Sequence, residues 1–208
     1  MRLSKNLVNA QFVNTEEVRN FLFSVLKNKT AEKILRLMHE TNILGQILPE
    51  FGLSHCKVNH DFYHHYTADE HSLRVIRFLD ELVVTSITNP TDLSALYQDY
   101  PHKGILKLSA LVQSLRKIPA GDPGEFLGPL TKRLNLKKSD SQILFFLLNN
   151  PYTMIETALH QDIHQPAVIR KFSKTVASPE RLKGLYLLSY AELRAVAPGT
   201  LTAWKKIL

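Results

Sequence analysis

The stretch Asp61-Phe-Tyr-His-His-Tyr-Thr-Ala-Asp-Glu-His71, running directly into the apolar pattern Leu73 to Val84, decides how the rest of the chain is read. Thr67 and Glu70 have the Thr-x-x-Glu spacing of a capping box, which predicts a helix from about Thr67 to about Val84. His71 then falls in its first turn. Unpaired backbone N–H groups and a partial positive charge at that end disfavour imidazolium and suit a neutral imidazole, a form able to bind a metal. A histidine held there is aimed, and the question is what it meets from elsewhere in the chain.

Outward from this helix the pattern stays helical. On the N-terminal side, Thr15 opens a three-and-four pattern (Val18, Phe21, Leu22, Val25, Leu26) and Thr30 opens another (Ile34, Leu35, Leu37, Met38), so the two predict a hairpin. Ile43 to Gly52 reads as a short helix stopped by proline and glycine. On the C-terminal side, Asn89-Pro-Thr-Asp reads as a loop or short turn, and Lys103 to Leu115 as a buried helix. The segment from Ile118 to Gly124 carries Pro119, Gly121 and Pro123 and reads as a loop, before a helix from Phe126 to Leu134. Ser139 and Gln142 form a second capping box ahead of Ile143 to Leu148, which Asn149-Asn-Pro151 ends. Helices are expected over 152–163, 166–177 and 179–195, the last with proline at its first position, and a short one over 198–208. Phe145-Phe146 and Leu185 to Leu188 read as core, and Trp204 as a packing anchor for the last helix. With no alternating strand of useful length, the fold class is all-α: a helical bundle with an N-terminal hairpin (1–42) on a main domain (43–208).

Composition narrows the function classes. The 208 residues include a single cysteine, Cys56, so no internal disulfide is expected, and a cytoplasmic protein fits. No apolar h-region or membrane-length run is present, so no membrane partner is expected. The net charge of +7 invites a nucleic-acid reading. Its basic residues are scattered, however, in small knots such as Arg116-Lys117 and Lys137-Lys138. They read as a solvated surface, and nucleic acid is not the expected partner.

Several motifs carry a resemblance. Leu48-Pro-Glu-Phe-Gly52, the stretch Asp61 to His71, Gln161-Asp-Ile-His-Gln-Pro-Ala-Val-Ile-Arg-Lys-Phe172 and Leu185-Tyr-Leu-Leu-Ser-Tyr-Ala-Glu-Leu-Arg-Ala-Val-Ala-Pro198, with Trp204-Lys205, resemble the HD domain of the bifunctional uridylyltransferase/uridylyl-removing enzyme family. The similarity runs in unbroken order from about residue 43 to 208. It implies an HD-type helical fold, a link to nitrogen regulation through the signal protein PII, and metal-dependent phosphohydrolysis that removes uridylyl groups.

That chemistry needs a histidine, an adjacent His-Asp pair and a later aspartate around a divalent ion that activates water. By the resemblance, His71 matches the first ligand and His64 another histidine of the stretch. The His-Asp pair falls on Gln113 and Ser114, the aspartate of the following loop on Asp122, its histidine on Pro123, a later His-His pair on Asn150 and Pro151, and the final aspartate on Glu192. A neutral amide and a neutral hydroxyl do not compensate a divalent charge as carboxylates do. The expectation is therefore a pseudoenzyme with no catalytic residue, no metal and no cofactor. Its vestigial cleft is lined by His64, His71, Gln113, Ser114, Lys117, Asp122 and Glu192, and Lys117 with Arg116 could still attract a nucleotide-like ligand.

Three readings are set against this one. His55, Cys56, His60, His64, His65 and His71 could have rebuilt a metal site and kept a phosphohydrolase alive, although their spacing fits no known zinc motif. A nucleic-acid-binding protein rests on charge alone. A partner for a PII-like or nucleotidyltransferase protein is the third. The 208 residues contain neither the nucleotidyltransferase motifs nor the ligand-sensing domains of the larger enzymes, so the chain is not expected to uridylylate anything.

Overall fold

In the computed structural model, residues 15–52, 66–88, 92–113 and 123–196 are described, and they form twelve helices and no strand. They are α1 (Glu16–Lys27), α2 (Ala31–Glu40), α3 (Ile43–Ile47), α4 (Pro49–Gly52), α5 (Ala68–Thr88), α6 (Asp92–Asp99), α7 (Lys103–Leu111), α8 (Pro123–Arg133), α9 (Lys138–Asn149), α10 (Thr153–His160), α11 (Pro166–Val176) and α12 (Pro179–Val196). The all-α class holds.

Two helices form the centre. In α7 every residue from Gly104 to Leu111 is buried, Lys107 and Ser109 included, as in a helix enclosed on all sides. It packs against α1, α5, α9 and α12. The long α5 packs against α2, α6, α7 and, most extensively, α12. Leu73, Val75, Ile76 and Leu79 of α5, Leu22 and Leu26 of α1, Leu35 of α2 and Leu185 and Leu187 of α12 are all completely buried in one core. The N-terminal hairpin therefore shares the apolar core of the rest.

A buried ion pair ties the hairpin in place. Lys107 of α7, 1% exposed, bonds the Asp80 carboxylate of α5 and donates to the Asn28 carbonyl at the end of α1, 2.8 Å away. The other Asp80 oxygen accepts the Glu32 backbone N–H at 2.8 Å, in the first turn of α2. Asp80 thus caps a helix from 48 residues away, while Thr30, the residue a sequence would nominate, makes no side-chain cap bond. Burial pushes the Asp80 carboxyl up and the Lys107 ammonium down, and each is drawn back by the other's charge.

The ends of other helices correct the sequence reading in detail. A helix not foreseen, α6, runs from Asp92, where a loop or short turn was read, to Asp99; Leu93, Leu96 and Tyr97 share one face, and Tyr97 is buried. The helix after the loop begins at Pro123, earlier than expected, because proline suits a first helical position. It ends in a Schellman motif, with Asn135 at φ 48° and the Leu136 N–H returning to the Thr131 carbonyl at 3.0 Å. The second capping box does not form: α9 already starts at Lys138, and Lys137 supplies no side-chain cap. Phe145 (41% exposed) and Tyr186 (42%) also leave the core assigned to their runs, since each lies on the outer side of a helix whose neighbours point inward. Trp204 and the helix expected over 198–208 lie outside the described residues, as do Cys56 and the histidines from 55 to 65.

One close approach fixes how α12 lies. A Cβ on Gly184 would stand 2.3 Å from the Tyr100 hydroxyl oxygen and 3.0 Å from its Cζ, so only glycine admits the buried tyrosine there. Burial raises the Tyr100 phenol well above its ordinary range. Beside it, His102 Nδ1 and Asp140 Oδ1 are 2.6 Å apart, joining the start of α7 to α9.

Candidate functional site

Three of the seven residues expected in the cleft are brought together by α5, α7 and α12. The first intrahelical bond of α5 runs from the His71 N–H to the Thr67 carbonyl at 2.8 Å, so His71 does sit in the first turn. Its imidazole, with a side chain 7% exposed, faces α12, where its Nε2 lies 2.7 Å from Glu192 Oε2. Gln113 follows the end of α7, and its amide Nε2 donates to Ser72 Oγ at 3.2 Å. Ser72 in turn donates to the Ala68 carbonyl at 2.9 Å. Gln113 therefore reaches the residue next to His71. The positions of His64, Ser114, Lys117 and Asp122 lie outside the described residues.

The carboxylates at this end of α5 are engaged from α2. Both Glu70 oxygens bind Arg36, at 2.7 and 3.2 Å, and Arg36 also bonds Glu32 at 2.6 Å. The bond to Glu70 holds the guanidinium pKa above its ordinary value. Glu70, expected to turn back onto the helix start, is thus spent on a neighbouring helix. Asp69, 5% exposed, accepts from His39 Nε2 at 3.2 Å. None of these cross-helix pairs is visible as a motif; Arg36 and Glu70 are 34 residues apart.

Of the expected donor set only His71, Gln113 and Glu192 are described, and their polar atoms are spaced as hydrogen-bond partners. Two donor atoms on one ion with bonds of about 2.1 Å stand roughly 3 Å or more apart. His71 Nε2 and Glu192 Oε2 are instead within hydrogen-bond distance of each other. The Gln113 amide turns a donor, not an acceptor, toward α5. Among the described residues no three His, Cys, Asp or Glu side chains gather as a metal site would require. What His71, Gln113 and Glu192 share is a set of polar, hydrogen-bonded side chains.

Asn150, matching the later histidine pair of the resemblance, is used elsewhere. Its Nδ2 donates to the Phe146 carbonyl at 2.9 Å and closes the end of α9. It borders an open concavity of about 480 Å³ that also takes in Lys138, Gln142, Phe145, Thr175 and Arg181. Arg181 and Glu192 are eleven residues apart on α12, about 16 Å along its axis, so this hollow is separate from the cleft. Among the described residues no helix is long and apolar enough to cross a membrane.

No protein-family model matches the chain. Curated proteins do. The bifunctional uridylyltransferase/uridylyl-removing enzyme of Bradyrhizobium sp. strain BTAi1 is 30% identical over 208 residues, covering 97% of this chain and 22% of the relative. That of Chromobacterium violaceum is 33% identical over 178 residues, covering 83% of this chain and 21% of the relative. That of Thiobacillus denitrificans is 34% identical over 179 residues, with 83% and 21% covered. The chain thus spans about a fifth of the length of the curated relatives it matches.

Proposed function

Because the chain is homologous to one segment of the bifunctional uridylyltransferase/uridylyl-removing enzymes, we propose that it is a metal-free HD-like domain that binds its ligand instead of hydrolysing it. In this reading it is a cytoplasmic regulatory module, tied to nitrogen control through its ancestry. Its cleft takes a nucleotide-like, phosphate-bearing ligand, either free or presented by a protein partner.

The observation that carries the reading is the bond of 2.7 Å between His71 Nε2 and Glu192 Oε2. In a working HD site those two side chains would each spend an oxygen or nitrogen on the ion; here they are spent on one another. Gln113, standing where the resemblance places a ligand histidine, supports the same reading by binding Ser72. The degenerate motif thus concerns several positions on different helices, and a single reversion would not restore hydrolysis. What remains chemically is recognition, through hydrogen-bond donors and positive charge.

The test is elemental analysis of protein purified without chelator or histidine tag, together with hydrolysis of bis(p-nitrophenyl) phosphate in added manganese and thermal melting with uridine 5′-monophosphate (UMP). Near-zero metal, no turnover and a raised melting temperature are expected. About one metal per chain with turnover would replace the reading by a phosphohydrolase with a rebuilt metal site.

A further inference from the structure

Three carboxylates stand around the N-terminal end of α5, and each is engaged by a basic side chain: Asp69 by His39, Glu70 by Arg36 and Glu192 by His71. Among the described residues Arg74 has no such complement. Its one recorded contact is with an aromatic face, the guanidinium carbon lying 4.0 Å from the centre of the Tyr66 ring. Its Nε is buried and meets no hydrogen-bond acceptor. Arg74 differs in this from Arg36, Arg77, Arg133 and Arg194, each of which reaches a carboxylate.

Position places this charge beside His71. Arg74 is one turn beyond His71 on α5, so the two share a side of the helix. Helical side chains lean toward the N-terminus, and Tyr66 precedes α5, so the guanidinium runs back past the turn that carries His71. Stacking on Tyr66 fixes the plane of the guanidinium while leaving its edge N–H groups for another partner. A planar, permanently charged fork held in this way matches two oxygens of a phosphate, and the first-turn N–H groups of α5 add to the attraction.

We infer that Arg74, oriented by Tyr66, is the anion-binding position of the cleft and takes the phosphate of its ligand. This deepens the ligand reading above and rests on it only for the nucleotide part. For an oxyanion there, one arginine supplies part of the charge compensation that a divalent ion supplies in a hydrolytic site.

The experiment is calorimetric titration of the full chain with UMP, uridine and inorganic phosphate, for the wild type, Arg74→Lys and Arg74→Gln. A charge-assisted hydrogen bond contributes about 1.5–3 kcal/mol, so Arg74→Gln should weaken UMP binding roughly 10- to 100-fold. Arg74→Lys, which keeps the charge and loses the fork, should fall between. Uridine binding should be the same in all three, a pattern that general damage to the fold would not produce. Equal UMP affinity in wild type and Arg74→Gln overturns the inference and leaves the ligand reading standing. Arg74-dependent binding of phosphate without UMP binding keeps the inference and removes the nucleotide. If the wild type binds neither, both fall.

Discussion

Helix α5 carries two acid–base pairs nine residues apart, and they behave differently. At Asp80 the pair is sealed: Lys107 is 1% exposed, and every oxygen and proton of the pair that faces the hairpin meets backbone of α1 or α2. At His71 the pair is less enclosed, with its His71 side chain 7% exposed and its Glu192 side chain 17% exposed. The same kind of interaction is architecture in one place and, on the proposed reading, part of a ligand site in the other. What marks the Asp80 pair is that its remaining polar atoms join α5 and α7 to the hairpin.

Removing one partner of the sealed pair should have the largest effect. Lys107→Met leaves a buried carboxylate without its cation, and about 3–5 kcal/mol of stability should be lost in urea unfolding. The loss should depend on pH with a definite sign. Burial already holds the Asp80 pKa above the ordinary carboxylate value, and Lys107 is a main cause drawing it down. Without Lys107 the folded pKa rises further above the unfolded value of about 3.9. A raised folded pKa gives stability that is full below the unfolded pKa and lost as pH rises through the folded one. The deficit of Lys107→Met relative to wild type should therefore shrink on acidification and grow toward neutrality; a constant deficit would mean that packing, not charge, sets it.

The His71 pair should matter less. His71→Ala leaves Glu192 partly solvated, and a loss of about 1–3 kcal/mol is expected from unfolding curves. A loss as large as that of Lys107→Met would erase the distinction between the two pairs.

A steric control separates charge from fit. Gly184→Ala would ordinarily gain about 1 kcal/mol of helix propensity, but the added methyl meets the Tyr100 hydroxyl at 2.3 Å, and overpacking costs roughly 1–3 kcal/mol. A net destabilisation near 1 kcal/mol is expected, and Tyr100→Phe added to it should recover part of the loss by removing that oxygen. The smallest effect belongs to the solvent-exposed pair further along α5. Arg77→Ala breaks a contact of 3.1 Å to Glu81 whose side chains are 55% and 35% exposed, and the change should stay within about 0.5 kcal/mol.

The fold was largely legible because helical periodicity is local: the apolar spacings of α1, α2, α5, α7 and α12 each report a buried face without reference to a partner. The misreadings are also local in origin. A short helix beside Pro90, α6, looks like a turn, and Ser139 looks like a cap because the competing start at Lys138 carries no motif. The cleft was legible only in part. Its resemblance to a metal site marked His71, Gln113 and Glu192, whereas Ser72, Asp69 and Arg74 carried no signal that set them apart from ordinary helix-surface residues.

By itself, then, the sequence determined the all-α class and the first-turn position of His71, because each of these follows from neighbours within a few residues. Tertiary structure alone decided that Asp80 caps α2, that Lys107 is buried, that His71 meets Glu192 and that Arg74 lies over Tyr66. The hydrogen-bonded pairings among these join residues 27 to 121 positions apart. Their energies depend on burial and on which groups compete for each partner, and neither quantity exists until the helices are packed.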